Sequence, residues 1–268
     1  MPRTSPLSKP GSPADSSPDD VPLPGGLCAI HQPNVLPRLT TLAKLFAADY
    51  WIVLDDVQFA RRDYQHRARL ASMSHPGRQW LSIPTHLPHG RSTLIRDAVL
   101  VDPERSRRRV MHMLAQHYSS CPDWPALRHE LDSALVQFRR SDKTADVAEA
   151  STRMLLNLVG WKGRILYSSQ MPARSEPSQR LADLAAVTGA RGYLCGTGGM
   201  RYLQVAPFAA RGISVVPFRT PTLGIWDGGR EVSAVHHLMN YGIRHVAEEL
   251  RAVAFRYHVR RLACRPVE

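Results

Sequence analysis

Cysteine is scarce, with 4 in 268 residues: Cys28, Cys121, Cys195 and Cys264. They form no CxxC pair and no compact cluster. That argues against a zinc site and a disulfide framework, and it fits a reducing cytoplasm. Long hydrophobic runs are also missing. No stretch approaches the roughly 18 apolar residues of a membrane span, and the N-terminus lacks the apolar core of a secretory signal. There is no P-loop pattern. RNP-type strands, zinc-finger spacing and an evident helix-turn-helix are absent, so charge alone does not make the chain a nucleic-acid binder. The expectation is a cytoplasmic protein with no metal, no bound cofactor, and neither nucleic acid nor membrane as partner.

Basic residues are abundant: 35 Lys and Arg against 23 Asp and Glu, a formal net charge of +12. Arginine dominates, in "ARRDYQHRAR", "PERSRRRV" and "RYHVRRLACR". Such a field suits an anionic partner, although single clusters are commonly solvated surface. Hydrophobic residues make up 43%, enough for a sizeable core without staples.

Residues 1–24 are rich in Pro, Ser and Asp, with almost nothing to bury, and read as a disordered tail. Residues 25–250 read as one α/β catalytic domain, followed by a basic segment over 251–268. "LCAIHQ" is a short buried strand stopped by Pro33. "LTTLAKLFAAD" has helical spacing. "YWIVLDDVQF" is a β-prone run that Asp55 and Asp56 interrupt. "YQHRARLAS", "RQWLSIPTH" and "STLIRDAVLVD" read as further strands, the first two separated by turn chemistry in "MSHPG". The N-terminal part is therefore expected to be α+β with a mixed sheet. Residues 103–160 are helical in pattern, opening on Asp102 and Pro103. A strand–helix–strand rhythm follows, through "GRILYSS", "SQRLADLAAVTG", "GYLCGTGG" and "GISVVPF", and favours a parallel piece. Ser178 is the expected cap of the helix in this part.

Cys28 opens the first strand. A free cysteine is ordinarily a small buried hydrophobe, and becomes a nucleophile only beside a base or cation that activates it. The recurring solution is Cys–His with a carboxylate orienting the imidazole. His66 on a neighbouring strand, His31 three residues on, and His86 are the candidate bases. Asp55 and Asp56 are expected on opposite faces of a strand, one of them buried and either orienting a histidine or pairing with Arg61, Arg62 or Arg67. "CGTGG" at 195–199 is a rival site: Cys195 is a second thiol, and Gly196 opens a loop whose backbone can approach an anion or acyl oxygen. His86 and His89 have HxxH spacing but no evident third ligand. His236 and His237 read as packing or surface residues.

The frame "AIHQPNVLP", "DYWIVLDDVQF", "YQHRARL", "WLSIPT", "ILYSS", "PSQRLADLAAVTGARGYLCGTGGMRYL", "PFAARGISV" and "NYG" resembles the WbqC-like family over about residues 27–245. The resemblance implies a bacterial sugar-modifying protein that transfers an acyl group onto an amino sugar. Its nearest likeness within the family is to amide condensation in lincosamide antibiotic biosynthesis. There the donor is a proline-type residue held as a thioester on the phosphopantetheine arm of a peptidyl carrier protein, and the acceptor is an amino-octose. The implied site is cysteine-protease-like and runs in the synthetic direction: Cys28 as nucleophile, His66 as base, Asp55 or Asp56 as orienter. His31, Gln32, Asn34, Arg67, Cys195 and Gly196 would shape the substrate pocket. Cys28 stands where the family usually has an aliphatic residue, His66 where it has Asn, and Cys195 where it often has Ser. Basic charge would steer the acidic carrier protein. The competing classes are a cysteine hydrolase of an amide or thioester, and a non-catalytic basic module for polyanions.

Overall fold

The computed structural model describes residues 26–73 and 77–263. The expected tail lies outside these residues, as do Cys264 and the centre of the "MSHPG" turn. A five-stranded sheet organises the chain: β1 (Leu27–His31), β2 (Tyr50–Val53), β7 (Arg164–Tyr167), β8 (Gly192–Gly196) and β9 (Ser214–Phe218). Its order is β7-β2-β1-β8-β9, and every pairing is parallel. The strands β3 (Arg67–Ala71) and β4 (Arg78–Ser82) form a separate antiparallel ribbon. The two-residue strands β5 (Thr85–His86) and β6 (Val99–Leu100) form another. The expected mixed N-terminal sheet is thus corrected. Two of its strands join a wholly parallel sheet, and the others pair apart from it.

Parallel strands covered on both faces read as continuous apolar runs, and "LCAI" and "YWIV" are such runs. Their side chains alternate between two cores. Leu27, Ala29, Trp51, Val53 and Leu194 enter the larger one. It is filled by α1 (Leu39–Phe46), α5 (Thr144–Leu158), α8 (Ala234–Tyr241) and α9 (Ile243–Ala263). Cys28, Ile30, Tyr50, Ile52, Tyr193 and Cys195 enter a smaller core, under α6 (Pro177–Val187) and α7 (Ala206–Ala209). The helical region comprises α2 (Pro103–Tyr118), α3 (Trp124–Leu135), α4 (Gln137–Arg140) and α5, inserted between β2 and β7. Asp102 caps α2 by accepting the Arg105 amide at 2.9 Å, with Pro103 at its first position.

Three local expectations change. "STLIRDAVLVD" forms the 3₁₀ turn Ile95–Asp97 and the short β6, because its alternation spans segments that pack on Phe59 and Leu87. The cap of α6 is Glu176, whose carboxylate accepts the Gln179 amide at 2.6 Å. Ser178 sits inside that helix and accepts from the Gln204 amide at 3.0 Å. The boundary set at residue 250 falls within the continuous α9.

Candidate functional site

The chain runs from β1 outward through β2 to β7 on one side, then crosses to β8 and β9 on the other. Neighbouring connections therefore leave β1 and β8 in opposite directions. In open parallel sheets, ligands bind outside the carboxyl ends of the strands at such a reversal. A cavity of about 630 Å³ lies there, lined by residues that follow β1, β8 and β9 and by the first turns of α1. His31, Gln32, Lys44, Cys195, Gly196 and Arg219 are among its walls. A second cavity of about 580 Å³ opens at the amino ends of β2 and β7, beside Trp161, Arg164 and Arg251, where no strand end converges from the other half of the sheet.

Lys44 is the least expected member. It lies on α1 among Leu42, Ala43 and Leu45, and is itself buried. Its Nζ donates to the Ile30 carbonyl at 3.3 Å. Burial brings its pKa down to about 8, and the nearby Cys195 and Cys28 thiols offset only part of that drop. Desolvation likewise pushes His31 well below the usual imidazole range, reinforced by the cations Lys44 and Arg38. His31 is therefore neutral at pH 7, able to accept a proton or a hydrogen bond. The Cys195 Sγ donates to the Gly196 carbonyl at 3.6 Å. Burial raises its thiol pKa, while Lys44 and a hydrogen bond with Tyr193 pull the other way. Tyr193 is fixed by stacking on Phe208, centroids 5.1 Å apart.

Of the residues singled out in the sequence, His31, Gln32, Cys195 and Gly196 meet at this cleft. Cys28 does not open onto it. It is wholly buried beneath α6, and desolvation takes its pKa up to about 12. Its polar neighbours are Thr188, Asp49 and Lys44 rather than an imidazole. His66 lies elsewhere, its ring 5.3 Å from Phe59, with a buried Nδ1 that makes no hydrogen bond. Burial and then Arg67 and Arg61 lower its pKa. The expected Cys28–His66 pairing is therefore not formed.

Asp55 and Asp56 do not sit on a strand, since β2 ends at Val53. Both turn to the same place, the start of the 3₁₀ turn Ser168–Gln170 after β7. Asp55 accepts from Ser168 Oγ at 3.0 Å, the Ser169 amide at 3.0 Å and Ser169 Oγ at 2.7 Å. Asp56 accepts from Ser168 Oγ at 2.5 Å and is paired with Arg180. Burial alone would raise the Asp56 carboxyl, but the Ser168 and Arg180 hydrogen bonds outweigh it and hold it low. The pair clamps β2 to β7 beside Leu54, which lines the cleft. Neither aspartate orients a histidine.

Asn34 and Arg67 are structural. The Asn34 carbonyl accepts from Thr152 Oγ1 at 2.8 Å, and Arg67 stacks on Trp80 at 4.2 Å while its Nε donates to the Asp63 carbonyl. Gln32 reaches Gln65 at 2.7 Å. His86 and His89 are both exposed. His237 is buried against the Asp227 carbonyl, Nε2 at 3.1 Å.

A helix-covered parallel sheet whose strand order reverses beside a polar cleft places the protein in the α/β class. The model of the WbqC-like protein family matches residues 32–246, and the chain belongs to that family. It is 22% identical over 198 residues to the uncharacterized protein Rv1507c of Mycobacterium tuberculosis, covering 71% of this chain and 80% of the relative. No solved structure matches.

Proposed function

We propose that the protein is an N-acyltransferase that condenses a proline-type acyl thioester, tethered to a carrier protein, with an amino sugar, the amide-forming step of a lincosamide-type antibiotic. The observation that carries this reading is the placement of Cys195 beside a buried Lys44 of pKa about 8 in the β1/β8 cleft. A lysine with that pKa is roughly one-tenth neutral at pH 7, so it can both take and return a proton near neutrality. The donor and acceptor classes of this proposal rest on the sequence resemblance, and its reacting groups are taken from the cleft lining.

The nucleophile in this reading is Cys195, not Cys28. Its Sγ attacks the thioester carbonyl. The new C–S bond forms as the pantetheine C–S bond breaks, and the thiol proton passes through Lys44 or His31 to the leaving thiolate. The sugar amine then attacks the acyl-enzyme. The C–N bond forms, the Cys195 C–S bond breaks, and the ammonium proton returns by the same base to the Cys195 sulfur. Direct attack of the amine on the carrier thioester would use the base alone.

The test is to mix the protein with a prolyl-loaded carrier and an amino-octose and follow products by mass. The amide is expected, with an acyl adduct mapping to Cys195 when the amine is withheld. Cys195→Ala should lose both, and Cys28→Ala should keep both. Full condensation by Cys195→Ala would leave direct attack. Release of free acid whether or not the amine is present would make the protein a hydrolase and defeat the proposal.

A further inference from the structure

The cleft is unbalanced in charge. Arg38, Arg219, Arg230 and Lys44 line it, and among the described residues no carboxylate does. Among the described residues, none of the three arginines has an ion-pair partner. Arg38 donates Nη1 to the Arg230 carbonyl at 3.0 Å and stacks on Tyr64 at 4.2 Å, while Arg219 and Arg230 are exposed. Four cations converging without an anion repel one another, an arrangement that an anionic ligand relieves.

A second observation concerns "GTGG". A Cβ added at Gly196 or Gly198 would meet nothing within 4 Å. Gly198 has φ −68°, which any residue adopts. Neither packing within the chain nor backbone conformation requires glycine at 198, and packing does not require it at 196. Both line the cavity. Bare backbone on that wall instead leaves room for a ligand to approach the main chain closely.

We infer that this cleft binds a phosphate group of the substrate, held between the guanidiniums of Arg219 and Arg230 and the Gly196–Gly198 backbone. Guanidinium forks match phosphate oxygens in paired hydrogen bonds, and loop amides add donors without charge. The phosphate can come from the pantetheine arm of a carrier or from a nucleotide-linked sugar. The inference rests on the cleft being the substrate site, not on the acyl-transfer chemistry.

Calorimetric titration of the full chain separates these cases, using two matched pairs: 4′-phosphopantetheine against pantetheine, and UDP against uridine. The phosphorylated member of at least one pair should bind about tenfold or more tighter, and which pair does so names the source. Arg219→Gln and Arg230→Gln, at exposed positions, should erase that preference with the melting temperature unchanged. Gly198→Ala should weaken the same probe without unfolding, since its methyl meets no protein atom. Equal binding within both pairs, or a preference that survives both arginine substitutions, would overturn the inference. Amide formation need not be measured, so failure here and failure of the acyltransferase reading remain distinguishable.

Discussion

Lys44 places a charge where the fold supplies little water. Its pKa falls from 10.5 in the unfolded chain to about 8 in the folded protein. Between those values the unfolded chain binds the extra proton, so stability rises with pH across that window. Below about pH 8 the full penalty is present, on the order of 3 kcal/mol for a shift of this size. Lys44→Met is therefore expected to stabilise the protein by about 2–3 kcal/mol at pH 7. The gain should fade as pH approaches 10.5. Urea unfolding at the two pH values measures this, and equal gains at both would remove the ionisation argument. The same variant should lose condensation, and the wild-type rate should climb with pH toward 8. A residue whose removal stabilises the fold and ends activity is retained for chemistry. The sequence did contain a trace of it, a lysine inside the apolar helix "LTTLAKLF". Cys28 is the more conspicuous thiol in the sequence because it opens a strand. The alternation of β1 and β8 sends both thiols into the smaller core, but only Cys195 stands at the strand end, where the core gives way to the cleft.

At the scale of elements, the carboxylates after β2 hold that strand to β7 beyond the last ladder pair, Val53 with Tyr167. Asp55→Ala would leave Ser169 Oγ and the Ser169 amide with no carboxylate to receive them, while Ser168 Oγ keeps Asp56. A cost of about 3 kcal/mol is expected. Chemical denaturation measures it, and a loss under about 1 kcal/mol would mean that water replaces the acceptor readily. Asp56 adds a pH dependence. Its folded pKa is depressed, so its share of stability is present above the ordinary carboxylate range and is lost as pH falls through the folded value. Most long elements were legible from periodicity: β1, α1, α2, α5, α6, β8 and β9 lie where apolar spacing and breakers put them. Asp55 and Asp56 were misplaced because a β-prone run does not mark its own end. "STLIRDAVLVD" misled for the converse reason, since alternation also arises where turns lean on a small satellite core.

For the whole molecule, the decisive feature is the strand order, which no local pattern encodes. Arg38, Arg219 and Arg230 are scattered over nearly 200 positions and meet only because β1, β8 and β9 are neighbours. The net charge of +12 was legible at once, but the meeting of three arginines and Lys44 at one cleft was not. Past β8 and β9 in sequence, the chain exposes Tyr202 at 84% and Leu223 at 82%. An acidic carrier approaching the cleft would be steered by long-range attraction. The condensation rate at low carrier concentration is expected to fall about tenfold or more from low to high salt, with the rate at saturation little changed. Stopped assays across a salt series check this, and a flat response would separate the charge from carrier encounter.

The segment leaving β1 carries a feature with a thermodynamic consequence. Leu36 holds φ at 45°, an uncommon value for a side-chain-bearing residue, and is buried. It is kept there from both sides. The Val35 amide donates to the Tyr64 carbonyl, the Leu36 amide donates to Ser151 Oγ, and Thr152 Oγ1 donates to the Asn34 carbonyl. A loop pinned in one shape by α5 has already given up its freedom during folding. His31 and Gln32, at its head, therefore meet a ligand with little ordering entropy left to lose, and that saving appears directly as affinity.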